Sequence, residues 1–307
     1  MKKRFLSIFL AVVMICSVPV VAGATGSWLP ITQDVGSGYS VTNSTGSYLI
    51  GSSTIYKYSY TSASNSWQSI PYNTNFTGKR VFGGDDNGFY YSNGGAGIYK
   101  ATYSATTSSW TDTLVTALDY SYVNSPYFSN ATMYYSSTLG LIICFGNYTL
   151  KYQSGTLTAY TGSSSLVTNN NCKLMNIKRG GANMGIYLRN DTGIYYFSNN
   201  VWVYKASVNY TPATYDATVN STCCDESAIY FVGGLDVVPG IIGIPQTSIY
   251  KFNPATGTIS SLANLPTGEG RYDATCFFDS SYRLVVVEGQ TPSTTPSTMY
   301  STTWQVR

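Results

Sequence analysis

A short run of residues returns along this chain and constrains its fold more than any other feature. The run Ile-Tyr-Lys begins at Ile55, Ile98 and Ile249, and a polar turn and then a Trp or apolar residue follow each copy. Weaker copies occur at Leu150-Lys151-Tyr152, Ile194-Tyr195-Tyr196 and Met299-Tyr300. Successive copies are about 43, 51, 45, 55 and 50 residues apart. Short strands repeated at this period are typical of a β-propeller, in which each repeat forms one four-stranded blade.

The residues around the run predict four strands in each repeat. In the fifth repeat an apolar segment reaches a polar turn at 225–227, and a β-branched segment then ends at Gly233-Gly234. A loop, the Tyr-Lys strand, a polar turn and a last strand follow, so the order is strand a, strand b, strand c, strand d. We therefore predict an all-β fold, a single β-propeller with six four-stranded blades.

The two ends of the chain predict how the ring closes. Met299-Tyr300 corresponds to a third strand, and the sequence stops at Arg307 without a fourth. The segment 27–31 is similar to 66–71, which follows the third strand of the first repeat. We expect residues 26–32 to complete the last blade beside residues 299–307. This closure would remove the exposed strand edges of an open array.

The fifth repeat combines Phe231-Val232-Gly233-Gly234 with Tyr250 and an Asn253-Pro254 turn, and the second repeat combines Val81-Phe82-Gly83-Gly84 with Tyr99 and Trp110. These two repeats resemble the Kelch repeat. The resemblance implies a propeller and marks fold more than activity. Kelch-like galactose oxidases hold copper with histidine and tyrosine, and this sequence has no histidine.

Several recurring residues are candidates for structural roles. Trp28, Trp67 and Trp110 stand at equivalent places in their repeats, and a buried Trp removes a large apolar area from water. We expect them, with Tyr250, to pack between blades. Gly233 and Gly234 are assigned to the structural repeat as well.

The N-terminal residues predict secretion. Lys2, Lys3 and Arg4 precede an apolar segment at 5–16, and the small residues Ala22-Gly23-Ala24 form a cleavage site. We assign residues 1–24 to a signal peptide and residues 25–307 to a Kelch-like β-propeller domain that is secreted and extracellular. No second long apolar stretch occurs in the sequence, so we expect no transmembrane segment in the mature chain.

The charge balance excludes one class of partner. Loss of the three basic residues in the signal would leave 14 basic residues against 14 acidic ones. Binding to nucleic acid depends on a basic surface, so we expect no nucleic-acid partner.

The residue types that catalysis and metal binding most often need are scarce. The absence of histidine removes Ser-His-Asp and Cys-His arrangements and histidine metal ligands. We therefore expect no cofactor and no transition metal, with a calcium ion in the channel left as an alternative, and we favour a protein that is not an enzyme. Asp216 and Asp273 occupy the same repeat position, which favours turn capping over catalysis. The run Asp85-Asp86-Asn87-Gly88 favours a hairpin turn over a calcium loop.

Five cysteines follow the predicted signal peptide, so at least one has no partner within a monomer. They suit buried apolar positions. If one disulfide forms, the candidates are Cys276 with Cys223 or Cys276 with Cys224, because these residues lie in equivalent early strands of adjacent repeats.

The candidate binding site lies where the b–c and d–a loops meet. The b–c loop 235–246 is longer and more apolar than its counterparts, and it contains Val238 and Ile241. It either binds a partner or folds against the propeller. Arg80, Arg179 and Arg271 lie near blade starts and could converge on the channel, with Tyr272 beside Arg271.

Two functions from different classes fit these features. The first is a secreted binding protein that recognises an extracellular glycan or protein at the b–c/d–a face. The alternative is a carboxylate-dependent glycan-active enzyme (a glycoside hydrolase, sialidase-like or lyase-like), which would need a pair of carboxylates facing one cavity.

Overall fold

The structure is a computed structural model, and it describes twenty-one stretches of the chain. They are residues 29–31, 39–43, 46–50, 54–60, 65–70, 81–85, 88–92, 97–125, 128, 131–160, 172–179, 184–190, 192–208, 215–216, 221–236, 244–262, 264–268, 270–272, 274–279, 282–287 and 303–306.

Almost every regular element in the described residues is a strand. The first half contains β1 (Leu29–Ile31), β2 (Tyr39–Asn43), β3 (Gly46–Ile50), β4 (Ile55–Tyr60), β5 (Asn65–Ile70), β6 (Val81–Asp85), β7 (Gly88–Ser92), β8 (Gly97–Ser104), β9 (Ser109–Ala117), the helix α1 (Tyr120–Val123), β10 (Thr132–Ser136), β11 (Gly140–Phe145), β12 (Tyr148–Gln153) and β13 (Thr156–Tyr160). The second half contains β14 (Lys173–Ile177), β15 (Gly185–Arg189), β16 (Gly193–Ser198), β17 (Val201–Ser207), β18 (Tyr215–Asp216), β19 (Thr222–Cys224), β20 (Ile229–Val232), β21 (Leu235–Asp236), β22 (Ile244–Pro245), β23 (Ile249–Asn253), β24 (Thr258–Ser261), β25 (Thr275–Phe278), β26 (Leu284–Val287) and β27 (Thr303–Val306).

These strands form six four-stranded antiparallel units in the described part of the chain. Units 1 to 4 are β2–β5, β6–β9, β10–β13 and β14–β17, each in chain order. Unit 5 is β19-β20-β23-β24, and unit 6 is β25-β26-β27-β1. The strand order a, b, c, d that the sequence predicts is therefore the order observed within each unit.

The first strands of the units form a ring. The strands β2, β6, β10, β14, β19 and β25 contact one another in that order, and β25 contacts β2. Between units 2 and 3 the approach is close enough for parallel pairing of Met133 with Gly83 and of Tyr134 with Gly84. The predicted all-β propeller is confirmed. Six blades in the complete chain stays a prediction.

The N-terminal strand completes unit 6, as predicted. Strand β1 runs antiparallel to β27, with Leu29 opposite Gln305 and Ile31 opposite Thr303. Strand β27 in turn pairs with β26. The structure describes this third strand at 303–306, within the segment 299–307 that the sequence predicts. The run Thr-Trp-Gln-Val at 303–306 has the β-branched and aromatic composition that favours a strand, and residues 299–300 lie outside the described residues.

The two Gly-Gly pairs of the Kelch-like pattern do not occupy equivalent positions. Gly233-Gly234 follows β20, a second strand, whereas Gly83-Gly84 lies within β6, a first strand. The equivalence expected from the sequence is wrong for this reason. A side chain at Gly83 would overlap the carbonyl oxygen of Met133 in unit 3, so the close approach of the two first strands requires glycine there.

The hydrophobic core is divided among the contacts between units. Six clusters of buried residues occur in the described chain, each joining two neighbouring units, and one of them joins unit 6 to unit 1. In that cluster Trp67 of β5 packs on Phe277 of β25, with ring centroids 5.8 Å apart. Trp110 is half-buried against the cluster of units 1 and 2. Trp202 packs on unit 3, where its indole Nε1 donates to Thr149 Oγ1 at 2.9 Å. Trp28 lies outside the described residues.

The repeated Ile-Tyr-Lys run has a physical explanation in the sheet. In β4, β8 and β23 the Ile is buried and the Tyr and Lys are half-buried. Each Lys lies directly opposite a tyrosine of the second strand and places its ammonium group over that ring. The three pairs are Lys57 over Tyr48 at 5.7 Å, Lys100 over Tyr90 at 5.8 Å and Lys251 over Tyr230 at 5.5 Å. The run therefore marks a cation–π contact between strands c and b.

Removing one of these lysines should cost a measurable amount of stability. We expect Lys251→Met to lower the free energy of unfolding by about 0.5–1 kcal/mol, because the methionine keeps the apolar stem and loses the cation. Lys151→Met is the matched control, since Lys151 lies opposite Ile142 in an equivalent strand. Urea unfolding of both variants measures the difference. Equal losses in the two variants would contradict the cation–π explanation.

Removing the N-terminal strand should weaken the whole ring. A chain that begins at residue 34 lacks β1 and leaves β27 with an unpaired edge, so we expect a melting temperature far below that of residues 25–307. A chain that begins at residue 28 keeps β1 and is the control. Calorimetry of the three proteins tests the role of the strand, and equal melting temperatures would show that closure by β1 is not stabilising.

Candidate functional site

Loops gather at the two ends of the ring, and the two ends carry different side chains. The b–c and d–a loops share one end, and the a–b loops lie at the other. The predicted site belongs to the b–c/d–a end.

A small sheet distinguishes unit 5 at the b–c/d–a end. Strand β21 in the b–c connection pairs antiparallel with β22 and also with β18, which precedes unit 5. The stretch 235–245 thus has the stem of a hairpin, with Leu235 opposite Pro245. Ile244 in this stem is 57% exposed. The hairpin tip, with Val238 and Ile241, lies outside the described residues.

Backbone hydrogen bonds fix the base of this hairpin to the start of unit 6. Gly234 N donates to Arg271 O at 2.7 Å, Arg271 N donates to Gln246 O at 3.0 Å, and Gln246 N donates to Gly234 O at 2.8 Å. Gly233 has a φ of 64°, and a side chain there would overlap the carbonyl oxygen of Arg271. The Gly-Gly pair therefore permits the close approach that holds the hairpin in place.

The two predicted arginines that the structure describes do not gather at this end. Arg271 is fully buried and Tyr272 beside it is half-buried, while Arg80 lies outside the described residues. Arg179 follows strand β14 and lies in an a–b loop, at the opposite end of the ring from Arg271. The expected convergence of Arg179 with Arg271 is therefore wrong, because Arg179 comes after a first strand rather than before one.

Sequence reasoning missed a second buried arginine at the b–c/d–a end. Arg189 ends β15 and is 1% exposed. The next residue, Asn190, forms a turn in which its side-chain Oδ1 accepts from the backbone N of Thr192 at 3.0 Å and of Gly193 at 2.9 Å. A polar Arg-Asn pair directly after an apolar strand was the only available signal, and it does not reveal burial.

Side chains from three units meet at the a–b end. Arg179 of unit 4, Glu226 of unit 5 and Tyr282 of unit 6 form what we call the a–b cluster. Arg179 Nε lies 2.6 Å from Glu226 Oε2, and the guanidinium carbon lies 5.9 Å from the centroid of the Tyr282 ring. The backbone N atoms of Lys178 and Arg179 donate to Glu226 O at 2.8 and 2.7 Å. The cluster thus links the a–b loops of three successive units.

A backbone hydrogen bond and a neighbouring ion pair fix the position of Tyr282. Its φ of 59° lies in the left-handed region, which is unfavourable for a bulky residue. Tyr282 N donates to Asp279 O at 3.0 Å, and the nearly buried Asp279 and Arg283 form an ion pair at 2.7 Å. The pKa of Tyr282 is raised by its hydrogen bond to Glu226, then by partial burial and by the charge of that carboxylate. The carboxylate of Glu226 therefore opposes loss of the phenolic proton of Tyr282.

Asp225 and Asp279 in the a–b loops of units 5 and 6 have structural partners. Asp225 Oδ1 accepts from the backbone N of Ser227 at 2.6 Å and of Ala228 at 2.7 Å, and its Oδ2 accepts from Tyr230 Oη at 2.7 Å. Burial and the Asp225 charge raise the pKa of Tyr230 well above its usual range. Asp279 is engaged by Arg283. These groups stabilise turns and do not form the pair of facing carboxylates that a glycan-active enzyme would need.

Two further observations concern the described residues alone. They contain no group of three or more His, Cys, Asp and Glu side chains arranged to hold a metal ion. No helix among them is both long and apolar enough to span a bilayer.

Comparison with known proteins supports the fold and goes no further. No protein-family model matches the chain, so Kelch membership stays a prediction. No curated protein matches either. Among solved structures the chain is similar to YjhT, with a TM-score of 0.53 and 12% identity over 88% of this chain and 98% of that one. It is also similar to YCF48 from Cyanidioschyzon merolae, with a TM-score of 0.42 and 14% identity over 85% of this chain and 79% of that one. At such identity the likeness to YjhT shows a β-propeller fold alone.

The charges of the a–b cluster should be measurable through Tyr282. We expect its pKa to lie above that of an ordinary tyrosine and to fall in Glu226→Gln, which removes the negative charge that opposes loss of the phenolic proton. Arg179→Gln should raise it, because the guanidinium favours the phenolate. NMR titration of ring-labelled tyrosine, with the resonance assigned by Tyr282→Phe, measures both shifts.

Tyr204 provides the control, since it is 55% exposed against 53% for Tyr282 and lies on the outer strand β17. Its ring resonance should have the same chemical shift in the wild type and both variants at neutral pH. A Tyr282 resonance that ignores both substitutions would show that the cluster does not form in solution.

Proposed function

We propose that this protein is a secreted, Kelch-like propeller that binds an extracellular glycan or protein at its b–c/d–a end. In this proposal residues 1–24 are removed as a signal peptide and residues 25–307 are the mature protein. The ligand contacts the hairpin of unit 5 and the loops around it. Val238, Ile241, Tyr272, Arg80 and Arg271 are the residues first assigned to this site.

The exposed hairpin stem is the observation that carries the proposal. Ile244 is more than half exposed, although the backbone around it is firmly hydrogen-bonded through Gly234, Gln246 and Arg271. An apolar side chain held on a rigid base loses little conformational freedom on binding, so its burial by a ligand contributes most of its transfer free energy. This arrangement suits recognition.

Arg271 and Tyr272 have different roles in this proposal. Arg271 is fully buried, so its side chain supports the base of the hairpin in the proposal rather than reaching an external ligand. Tyr272 is half-buried and follows it directly, and it remains a candidate for stacking on a sugar ring. The described a–b carboxylates are engaged in turns and an ion pair, so they do not serve the enzymatic alternative. Asp273 and the side chain of Asp216 lie outside the described part of the chain.

The proposal is tested by binding with a matched pair of variants. Residues 25–307 are applied to an array of extracellular glycans and to an array of secreted proteins, as the wild type, as Ile244→Ser and as Leu114→Ser. Leu114 is 56% exposed, close to the 57% of Ile244, and it lies on the outer strand β9. We expect Ile244→Ser to weaken binding about four- to fifteenfold, since full burial of an Ile contributes about 1.5–3 kcal/mol and about half of this side chain is still exposed. Leu114→Ser should bind as the wild type does.

The outcomes separate the possibilities. Loss of a glycan signal in Ile244→Ser alone identifies a glycan ligand at this end, and loss of a protein signal identifies a protein ligand. Binding that both variants retain places the site elsewhere on the ring. Blank arrays for the folded wild type would contradict the proposed function.

A further inference from the structure

Two cysteines meet at the contact between units 5 and 6. Cys223 lies in β19 and Cys276 in β25, which are the first strands of these neighbouring units. The strands are close, because Ser221 Oγ donates to Ala274 O at 3.1 Å. Cys223 is two residues after Ser221, and Cys276 is two residues after Ala274. Side chains on one face of a strand recur at every second residue, so Cys223 and Cys276 are also neighbours. Both belong to the same buried cluster, and their thiols are hydrogen-bonded to each other.

The neighbouring Cys224 points the other way. Its Sγ donates to Asn176 O of unit 4 at 3.9 Å, on the opposite side of the same strand. The two cysteines of this vicinal pair thus serve different contacts, Cys223 facing unit 6 and Cys224 facing unit 4. Of the two pairings that the sequence leaves open, the geometry selects Cys223 with Cys276.

We propose that Cys223 and Cys276 form a disulfide bond that joins units 5 and 6. In the structure both residues are in the reduced, thiol form. The oxidant is a disulfide compound, either a small molecule such as glutathione disulfide or a protein oxidant. One cysteine loses a proton and its thiolate attacks the oxidant, forming a mixed disulfide and releasing one thiolate. The second cysteine loses its proton, attacks the mixed disulfide and releases the other half of the oxidant as a thiolate. One S–S bond forms, and the oxidant is reduced by two electrons and gains both protons.

The order of events follows from burial. Cys276 is 0% exposed and Cys223 is 4% exposed, so an oxidant cannot reach either sulfur once units 5 and 6 have packed together. Burial also raises the pKa of Cys223 well above that of an ordinary thiol, with a further contribution from Cys276, so the reactive thiolate is scarce in the folded protein. The bond therefore forms during folding. Once formed, it is protected from reductants by the same burial.

This inference does not depend on what the b–c/d–a end binds. It does depend on an oxidising environment, which the proposed secretion would supply. The experiment supplies the oxidant directly, so that its outcome is separate from the test of secretion and of binding.

The test is refolding in the presence of a defined oxidant. Residues 25–307 are unfolded in urea with reductant and refolded in a glutathione redox buffer. Free thiols are then alkylated without reduction. Mass spectrometry of the digest should show a peptide that contains Cys223 linked to one that contains Cys276. Fragmentation between Cys223 and Cys224 should place the bond on Cys223. The unfolded, oxidised protein should have three titratable thiols, two fewer than the five cysteines that are reduced in the structure.

Variants and a reversed order of addition complete the test. Cys224→Ala should keep the link, and Cys223→Ala should lose it. Protein folded under reducing conditions and then exposed to glutathione disulfide should oxidise at least tenfold more slowly than protein that is refolding. The oxidised protein should melt about 5–10 °C above the reduced one, because the bond closes a long loop and so lowers the conformational entropy of the unfolded chain.

Several results would overturn the proposal. They are five alkylated cysteines in the refolded wild type, a link that fragmentation places on Cys224, and a link that joins Cys144 or Cys172 instead. Because fragmentation of the wild type locates the bond by itself, the test does not require that Cys223→Ala folds.

Discussion

The packing of each four-stranded sheet on its neighbours is the interaction on which the rest of this structure depends. No unit has a core of its own, because the buried side chains of each sheet meet those of the next sheet in the ring. Removing one unit would therefore expose two apolar faces, which explains why the last unit must be completed by a strand from the other end of the chain. Trp67, in the fourth strand of unit 1, is an example, since its ring packs on Phe277 of unit 6. Stability here is cooperative around the ring rather than local to a blade.

This use of apolar side chains leaves the two ends of the ring for recognition. At the b–c/d–a end a hairpin stem is held by backbone hydrogen bonds and presents Ile244. At the a–b end three units contribute Arg179, Glu226 and Tyr282, so that end is polar and its groups are already engaged with one another. A ligand at the a–b cluster would have to displace an existing ion pair, whereas a ligand at the hairpin would cover apolar surface that water contacts. The b–c/d–a end is for that reason the better candidate for binding.

The strands within each repeat could be predicted from the sequence, whereas contacts between different repeats could not. The period of the run predicted the strands, and its three full copies follow from the same cross-strand lysine–tyrosine contact. The likeness of residues 27–31 to residues 66–71 predicted the closure of the ring. Arg179 was assigned to the wrong end, since only the direction of β14 decides where its loop emerges. Gly83 was matched to the wrong strand, because its need for glycine arises from the carbonyl of Met133 in another unit. The burial of Arg189 and the meeting of Glu226 with Tyr282 have no signal in local sequence.

Strand β25 contacts two neighbouring units whose residues are far from it in the sequence. Its Cys276 contacts Cys223 of unit 5 through the side chain, and its carbonyl oxygen accepts from Ser40 Oγ of unit 1 at 3.0 Å. The partners on the two sides are separated from it by 53 and 236 residues in the chain. Long loops must be closed before either contact forms, and the entropy lost in closing them is recovered only when both neighbours are in place. Unit 6, which is built from both ends of the described chain, is therefore the unit whose assembly is hardest, and a covalent link from β25 to unit 5 would act where the ring is least supported by local contacts.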